Sequence, residues 1–313
     1  KDFLDKVTDN NINLEDRDKD WLKAQYFNFI QSNDTDSISI LWDYGTSRFS
    51  SSLIIANVSA DPISVDEFKK SKCILDTNIL IDLELESNES DGCFKSMENI
   101  FIDLEISPVY FLITREEFIN TVAYKRSTVL RIVENYSYEV ISNTEDSFIK
   151  KALQRECVTP EDFERFFDQL VDVPEYIYEL LEINPFDSDE LVNAIEKGQK
   201  DKTLIEKLNK IYRSKKRRDK RKNPLQHDAG LIAGAEFLRK QEKCFILSKD
   251  ISVNEAALER PLRNEMPIAI GLCTLISVLA IDNGGTEVDP TNYAPLFAQM
   301  IKLALIPEHD VFK

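Results

Sequence analysis

Histidine is nearly absent from this chain: 313 residues contain two, His227 and His309. Cysteine is sparse as well. The five thiols (Cys73, Cys93, Cys157, Cys244 and Cys273) include no CxxC pair. These two shortages exclude the usual Cys/His zinc sites, whose ligands come in closely spaced pairs. Cys73, Cys244 and Cys273 lie within apolar runs, where a free thiol behaves as a small hydrophobe, so the sequence reads as that of a cytoplasmic protein in a reducing compartment. Long apolar runs are missing too. The longest uncharged stretch, 266–281 (MPIAIGLCTLISVLAI), is shorter than the ~20 residues of a membrane span and is broken by Pro267 and Gly271. It predicts a buried strand followed by a buried helix, and no membrane partner.

What the chain has is an ample globular core and an uneven charge. The 42% apolar residues, with 18 Phe and 10 Tyr, exclude a disordered chain. The formal net charge of −17 argues against nucleic acid if taken as an average. The distribution differs from the average. Residues 213–222 read RSKKRRDKRK, eight bases to one acid, and the remainder carries 31 bases against 55 acids. Basic charge is therefore concentrated in one segment of a strongly acidic protein.

Composition divides the chain near residue 70. Residues 1–70 form an N-terminal extension of unassigned role, with an amphipathic helix predicted near 19–31 and short strands at 38–41 and 52–58; the charged stretch 66–72 reads as a linker. From 72 onward short apolar runs alternate with helical segments. Strands are predicted at 72–77 (KCILDT), 109–114 (VYFLIT), 138–142 (YEVIS), 243–248 (KCFILS) and 267–271 (PIAIG). A helix follows Arg115, residues 145–213 read as wholly helical, and Asn223-Pro224 reads as the cap and first residue of another helix. Strands separated by helices imply right-handed crossovers and a mostly parallel sheet. The fold class is α/β, with a domain over 71–285, a helical and basic insertion at 145–222, and a helical tail at 286–313.

The acids fall at informative places. Asp76 directly follows the apolar run CIL, Glu117 stands three residues beyond FLIT, and Asp250 stands two beyond FILS. In a parallel sheet the carboxyl ends of all strands share one edge, which is where open α/β sheets bind ligands. Asp228, one turn into the helix that precedes the fourth strand, shares a face with Ile232 and Ala235 and reaches the same edge. Clustered carboxylates repel one another, and a hard divalent cation such as Mg²⁺ or Mn²⁺ relieves that repulsion. Each acid also has a structural reading. Asp76 suits a helix cap, Thr114-x-x-Glu117 a capping box, Asp228 the positive end of a helix and Asp250 a turn. Glu116 and Asn120 compete with Glu117 for the second position. Asn78 and Ser248 are candidates to orient the carboxylates, with Asn254 beside them, and His227 reads as a surface or capping residue. Gly230 and Gly234, inside the helix of Asp228, point to close helix–sheet approach.

The ordered set ILDTN (74–78), FLITREEF (111–118), HDAGLIAGAE (227–236) and ILSKD (246–250) resembles the PIN domain superfamily over about residues 72–285. The resemblance implies a three-layer α/β/α fold and an Mg²⁺- or Mn²⁺-dependent endonuclease, most often an endoribonuclease, in which Asp76, Glu117, Asp228 and Asp250 are the catalytic and metal-binding residues. Hydrolysis would leave a 5′-phosphate and a 3′-hydroxyl, with RNA as substrate. Lys215, Lys216, Arg217, Arg218, Lys220, Arg221 and Lys222 would grip phosphates, although a basic run is also what a solvated helix face looks like. Two alternatives stay open. One is a silent PIN-like scaffold that binds RNA or protein. The other is a haloacid dehalogenase-like phosphohydrolase, a fold that requires Asp-x-Asp where this chain has Asn78 in the third position. The terminal segments, including 294–305 (APLFAQMIKLAL), suit a protein partner, self-association or an ordinary packed helix equally.

Overall fold

The computed structural model describes residues 25, 65–85, 93–258 and 266–275, except 145, 178, 179 and 273. The chain divides into two compact units, one of residues 63–87 and 98–275 and the other of 1–62, 88–97 and 276–313. The strands expected at 38–41 and 52–58 and the tail at 294–305 lie outside the described residues; of the helix expected at 19–31 only Gln25 is described, and it is helical; of the helix expected after the strand 267–271, Leu272, Thr274 and Leu275 are described and helical.

The larger unit is built on a five-stranded sheet whose pairings are all parallel. Strand β1 (Lys72–Leu75) is central, between β2 (Ser107–Tyr110) and β6 (Cys244–Ser248). Strand β5 (Asn184–Pro185) pairs outside β2, and β7 (Ala269–Gly271) outside β6. The order β5-β2-β1-β6-β7 thus runs one way from β1 and then the other. A separate antiparallel hairpin joins β3 (Tyr176–Ile177) to β4 (Leu181–Glu182). Crossovers in both directions, with many helices, are compatible with three α/β/α layers. Strand β1 is short and apolar because a parallel strand is covered on both faces; Cys73, Ile74 and Leu75 are all buried. The stretch 66–72 is no open linker: a 3-10 turn covers Val65–Glu67, and Phe68 is buried edge-on against Phe245.

Helices α1 (Thr77–Leu85) and α2 (Cys93–Asp103) connect β1 to β2. Helix α3 (Leu112–Asn135) departs from expectation, since the apolar run 109–114 is strand only as far as Tyr110. Phe111 is fully buried and serves as the N-cap, and Leu112, Ile113 and Thr114 form the first helical turn. Phe118, Val122, Val129 and Val133 then form the buried stripe of α3. The predicted strand 138–142 is instead a short helix, α4 (Tyr138–Ser142), started by the Ser137 carbonyl accepting from the backbone of Val140 and Ile141. A five-residue segment with three apolar positions is too short to separate strand from helix when only Ile141 is buried.

Segment 145–213 is not wholly helical. Helices α5 (Ser147–Gln154) and α6 (Pro160–Asp168) lead into the hairpin and then into β5, the actual third strand of the sheet. Two residues, one of them proline at the sheet edge, give no periodic signal. Helices α7 (Asp189–Gln199) and α8 (Lys202–Lys216) follow, and their Leu191, Ile195, Leu204 and Leu208 enter the main core. Helix α9 (Lys222–Leu238) is capped by Arg221 rather than Asn223, so Pro224 falls in the first turn, where no intrahelical N–H bond is lost. It is buried almost all round. Helix α10 (Ile251–Leu258) precedes β7. Among the described residues no helix is long and apolar enough to cross a membrane. Cys73, Cys157 and Cys244 are buried free thiols.

The glycines of α9 serve helix–helix contact more than the helix–sheet contact expected of them. A Cβ at Gly230 would stand 2.9 Å from the Gln199 side chain and 3.1 Å from Ile195, and one at Gly234 2.9 Å from Ile195, all on α7; at Gly234 it would also lie 2.7 Å from the ring of Phe111. From the other side, a Cβ at Gly198 of α7 would collide with the Ala233 methyl and lie 2.7 Å from the Ala229 carbonyl. Gly198→Ala gains ~1 kcal/mol of helix propensity but overpacks against backbone at a cost of ~1–3 kcal/mol. The clash outweighs the gain, so the variant is expected to have a lower urea midpoint than wild type. A raised midpoint would show that α7 and α9 do not approach as described.

Candidate metal centre

The reversal of strand order places the carboxyl ends of β1 and β6 side by side. Leu75 pairs with Leu247, and the Asp76 amide donates to the Leu247 carbonyl at 3.1 Å. The next residues on each strand, Asp76 and Ser248, meet across this switch point, where open α/β sheets form their crevice. The Ser248 hydroxyl donates to Asp76 Oδ2 at 2.5 Å and accepts the Asp250 amide at 2.9 Å. Asn78 completes the tie. Its Nδ2 donates to Asp76 Oδ2 at 2.6 Å and to Ser248 Oγ at 3.2 Å, and its Oδ1 accepts the Lys249 amide at 2.9 Å. Asp76 Oδ1 accepts the Thr77 amide at 2.7 Å. Asn78 and Ser248 therefore do hold the Asp76 carboxylate in place. Asn254 sits aside: its Nδ2 donates to the Ser248 carbonyl at 3.1 Å, fixing the strand end rather than a carboxylate.

Glu117 comes from the second turn of α3 and makes no capping box, because the helix begins at Leu112 and Thr114 is already inside it. Glu117 Oε2 accepts the Thr77 hydroxyl at 2.7 Å. Neighbours Glu116 and Asn120 are exposed. Contrary to expectation, His227 is neither on the surface nor a cap. It is 6% exposed, with Nδ1 2.9 Å from Glu117 Oε2 and 3.7 Å from Asp228 Oδ1, and Nε2 3.3 Å from Thr114 Oγ1. Close as it is to Glu117, Nδ1 is buried without an aligned hydrogen-bond partner. Asp76, Glu117 and His227 form a group able to hold a metal ion, each offering an atom within 4.8 Å of the others.

The other two acids form a second cluster. Lys220 Nζ lies 2.5 Å from Asp228 Oδ2 and 2.5 Å from Asp250 Oδ2. Asp250 Oδ1 accepts the amide of Ser252 at 2.7 Å and its hydroxyl at 2.6 Å, so this acid caps α10 with one oxygen and holds Lys220 with the other. The basic run is thus not one solvated face. Lys215 pairs with Glu255 at 2.8 Å, Arg213 with Asp219 at 2.8 Å, and Arg221 lies 5.8 Å from the Tyr124 ring centre. Lys216, Arg217, Arg218 and Lys222 are exposed, and Lys220 is drawn inward to the acids.

Electrostatics follow from this packing. Burial, partly offset by the charge of His227 and reinforced by Asp228 and Glu117, pushes Asp76 up to about 6. Burial alone would raise Glu117, yet His227 and the Thr77 hydroxyl hold it below its ordinary value. Burial would lower His227, but Asp228, Glu117 and Asp76 outweigh it and raise the ring to about 10. Without a metal the imidazole is therefore protonated at neutral pH. Lys220 is held above its ordinary value against burial by Asp228 and Asp250, and Asp250 is held below its own by Lys220 and Ser252.

Sequence reasoning gave His227 and Thr114 only surface or capping roles, assigned none to Thr77, and gave Lys220 a different partner. A lone histidine beside an aspartate carries little information. The one acid inside the basic run, Asp219, was the available sign that the run is an ordered turn.

The shift at His227 has a pH consequence. A group whose folded value of about 10 exceeds its unfolded value near 6.5 contributes stability that is complete below pH 6.5 and lost as pH rises through 10. In EDTA, the urea stability of wild type is expected to fall between pH 7 and 10, and His227→Gln to lack that slope. Equal slopes in the two proteins would contradict the imidazolium. No protein-family model, curated protein or solved structure matches this chain.

Proposed function

We propose that this chain is a metal-dependent endonuclease acting on RNA, built on a PIN-like α/β/α domain. One observation carries the reading: two acids and a histidine from three separate elements, Asp76, Glu117 and His227, converge at the carboxyl edge of a parallel sheet, and the buried imidazole nitrogen among them has no aligned partner. The resemblance supports it, since Asp76, Glu117, Asp228 and Asp250 occupy the four acidic positions of that family's pattern.

The donor set fits a divalent cation. Carboxylate oxygens suit Mg²⁺ and Mn²⁺, while an imidazole nitrogen favours transition metals, so the mixture favours Mn²⁺. Asp76, Glu117 and His227 would hold the ion, His227 after giving up its proton, with Asp228 Oδ1 3.7 Å from Nδ1. A bound ion would supply a low-pKa water and offset charge at the phosphodiester. The chain's own residues do the positioning. Ser248, Asn78 and the Thr77 amide fix Asp76, the Thr77 hydroxyl fixes Glu117, and the exposed Lys216, Arg217 and Lys222 offer charge to the flanking phosphates. The non-catalytic scaffold is favoured by one feature, that Lys220 and His227 already offset two of the four negative charges.

Cleavage of labelled single-stranded RNA and DNA in Mn²⁺, Mg²⁺ or EDTA separates the readings. The expected result is Mn²⁺-dependent cutting of RNA that Asp76→Asn abolishes. Asn78→Ala, which removes a group that orients Asp76 and ties it to Ser248 and the Lys249 amide, is expected to weaken Mn²⁺ binding ~10–100-fold. A folded wild type that binds Mn²⁺ yet cuts neither polymer would leave the scaffold.

A further inference from the structure

Lys220 stands where a second cation would. Its ammonium reaches Asp228 and Asp250 at 2.5 Å each, and its side chain is only 12% exposed. Asp228 faces both ways, with Oδ2 on the ammonium and Oδ1 3.7 Å from His227 Nδ1, as a carboxylate does between two neighbouring positive centres.

The placement is built, not incidental to a flexible run. Helix α8 ends at Arg217 in the left-handed conformation (φ 56°), which turns the chain back on itself. Asn209, two turns earlier, then clamps the turn from both sides: its Nδ2 donates to Asp219 Oδ1 at 3.0 Å and its Oδ1 accepts the Lys220 amide at 3.0 Å. Arg213 holds the other oxygen of Asp219 at 2.8 Å. The Tyr212 ring lies 5.5 Å from the ammonium. Four groups of α8 and its turn thus set the backbone and surroundings of one lysine.

Two-metal phosphodiesterases place cations ~4 Å apart to steady both the attacking and the leaving oxygen. Building on the metal-dependent reading above, we propose that the Lys220 ammonium replaces the second of these cations, so that the chain takes one divalent ion at Asp76–Glu117–His227 and none between Asp228 and Asp250. An ammonium carries three N–H donors. Two serve the carboxylates, and the third is left for a phosphoryl oxygen of the substrate. Lys220 is then a substrate-facing residue of the acidic cluster rather than part of the exposed phosphate grip.

The number of bound Mn²⁺ ions, by calorimetry and by paramagnetic resonance, tests this. Wild type and Lys220→Arg are expected to bind one ion with an uncoupled spectrum. Lys220→Met is expected to bind two, spin-coupled through Asp228. One ion in both wild type and Lys220→Met overturns the proposal and leaves the metal-dependent reading standing. No ion in either overturns both. Two coupled ions in wild type overturn the proposal by themselves, whether or not Lys220→Met folds.

Discussion

Carboxylates brought together out of water repel one another, and that repulsion governs the edge of this sheet. Two like charges ~4 Å apart cost about 4 kcal/mol at an effective dielectric near 20, a large part of a domain's total stability of ~5–15 kcal/mol. Asp76, Glu117, Asp228 and Asp250 can share one edge only if positive charge is supplied there. The chain supplies two cations of its own, the Lys220 ammonium and the His227 imidazolium. With both in place two formal negative charges remain; a divalent ion that takes His227 as a neutral ligand displaces the imidazolium's charge, so that ion and Lys220 together leave one. Hydrogen-bond donors take up further strain: Ser248, Asn78 and the Thr77 amide on Asp76, the Thr77 hydroxyl on Glu117, Ser252 on Asp250.

The fold serves this arrangement. Because the strand order reverses beside β1, the ends of β1 and β6 open onto a common crevice, and Asn78 and Ser248 knit those two ends together. Helix α9 must lie close to α7 for Asp228 and His227 to reach the edge, and glycines at 198, 230 and 234 permit that approach. Helix α8 contributes core leucines on one side and the lysine-bearing turn beyond its end. Segment 145–222 therefore supplies both an edge strand of the sheet and a member of the acidic cluster.

Much of the site was legible from sequence because it depends on strand ends. An apolar run that stops at Asp76, another that stops at Ser248, and an acid two residues later are local signals, and a parallel sheet brings them together. Glu117 was legible by position but for a different structural reason: the run 109–114 was read as strand to its end, whereas the strand stops at Tyr110 and, past the buried Phe111, the helix begins at Leu112, three residues earlier than expected. The strand at 184–185 was invisible, since two residues, one a proline, carry no periodicity. Helix α4 was misread because five residues, Tyr138–Ser142, are too few for their apolar spacing to tell strand from helix. His227 and Lys220 depend on tertiary contacts across 110 and 30 residues, to Glu117 and Asp250, and no local pattern records those.

The central claim is that these acids and His227 hold a divalent cation at the junction of β1 and β6. Crystals grown with Mn²⁺ and measured on both sides of the manganese absorption edge test it directly. The account predicts one anomalous peak, within coordination distance of Asp76, Glu117 and His227 and none between Asp228 and Asp250. A map in which Lys220 and His227 keep their ion pairs and no manganese scatters at that junction would contradict it.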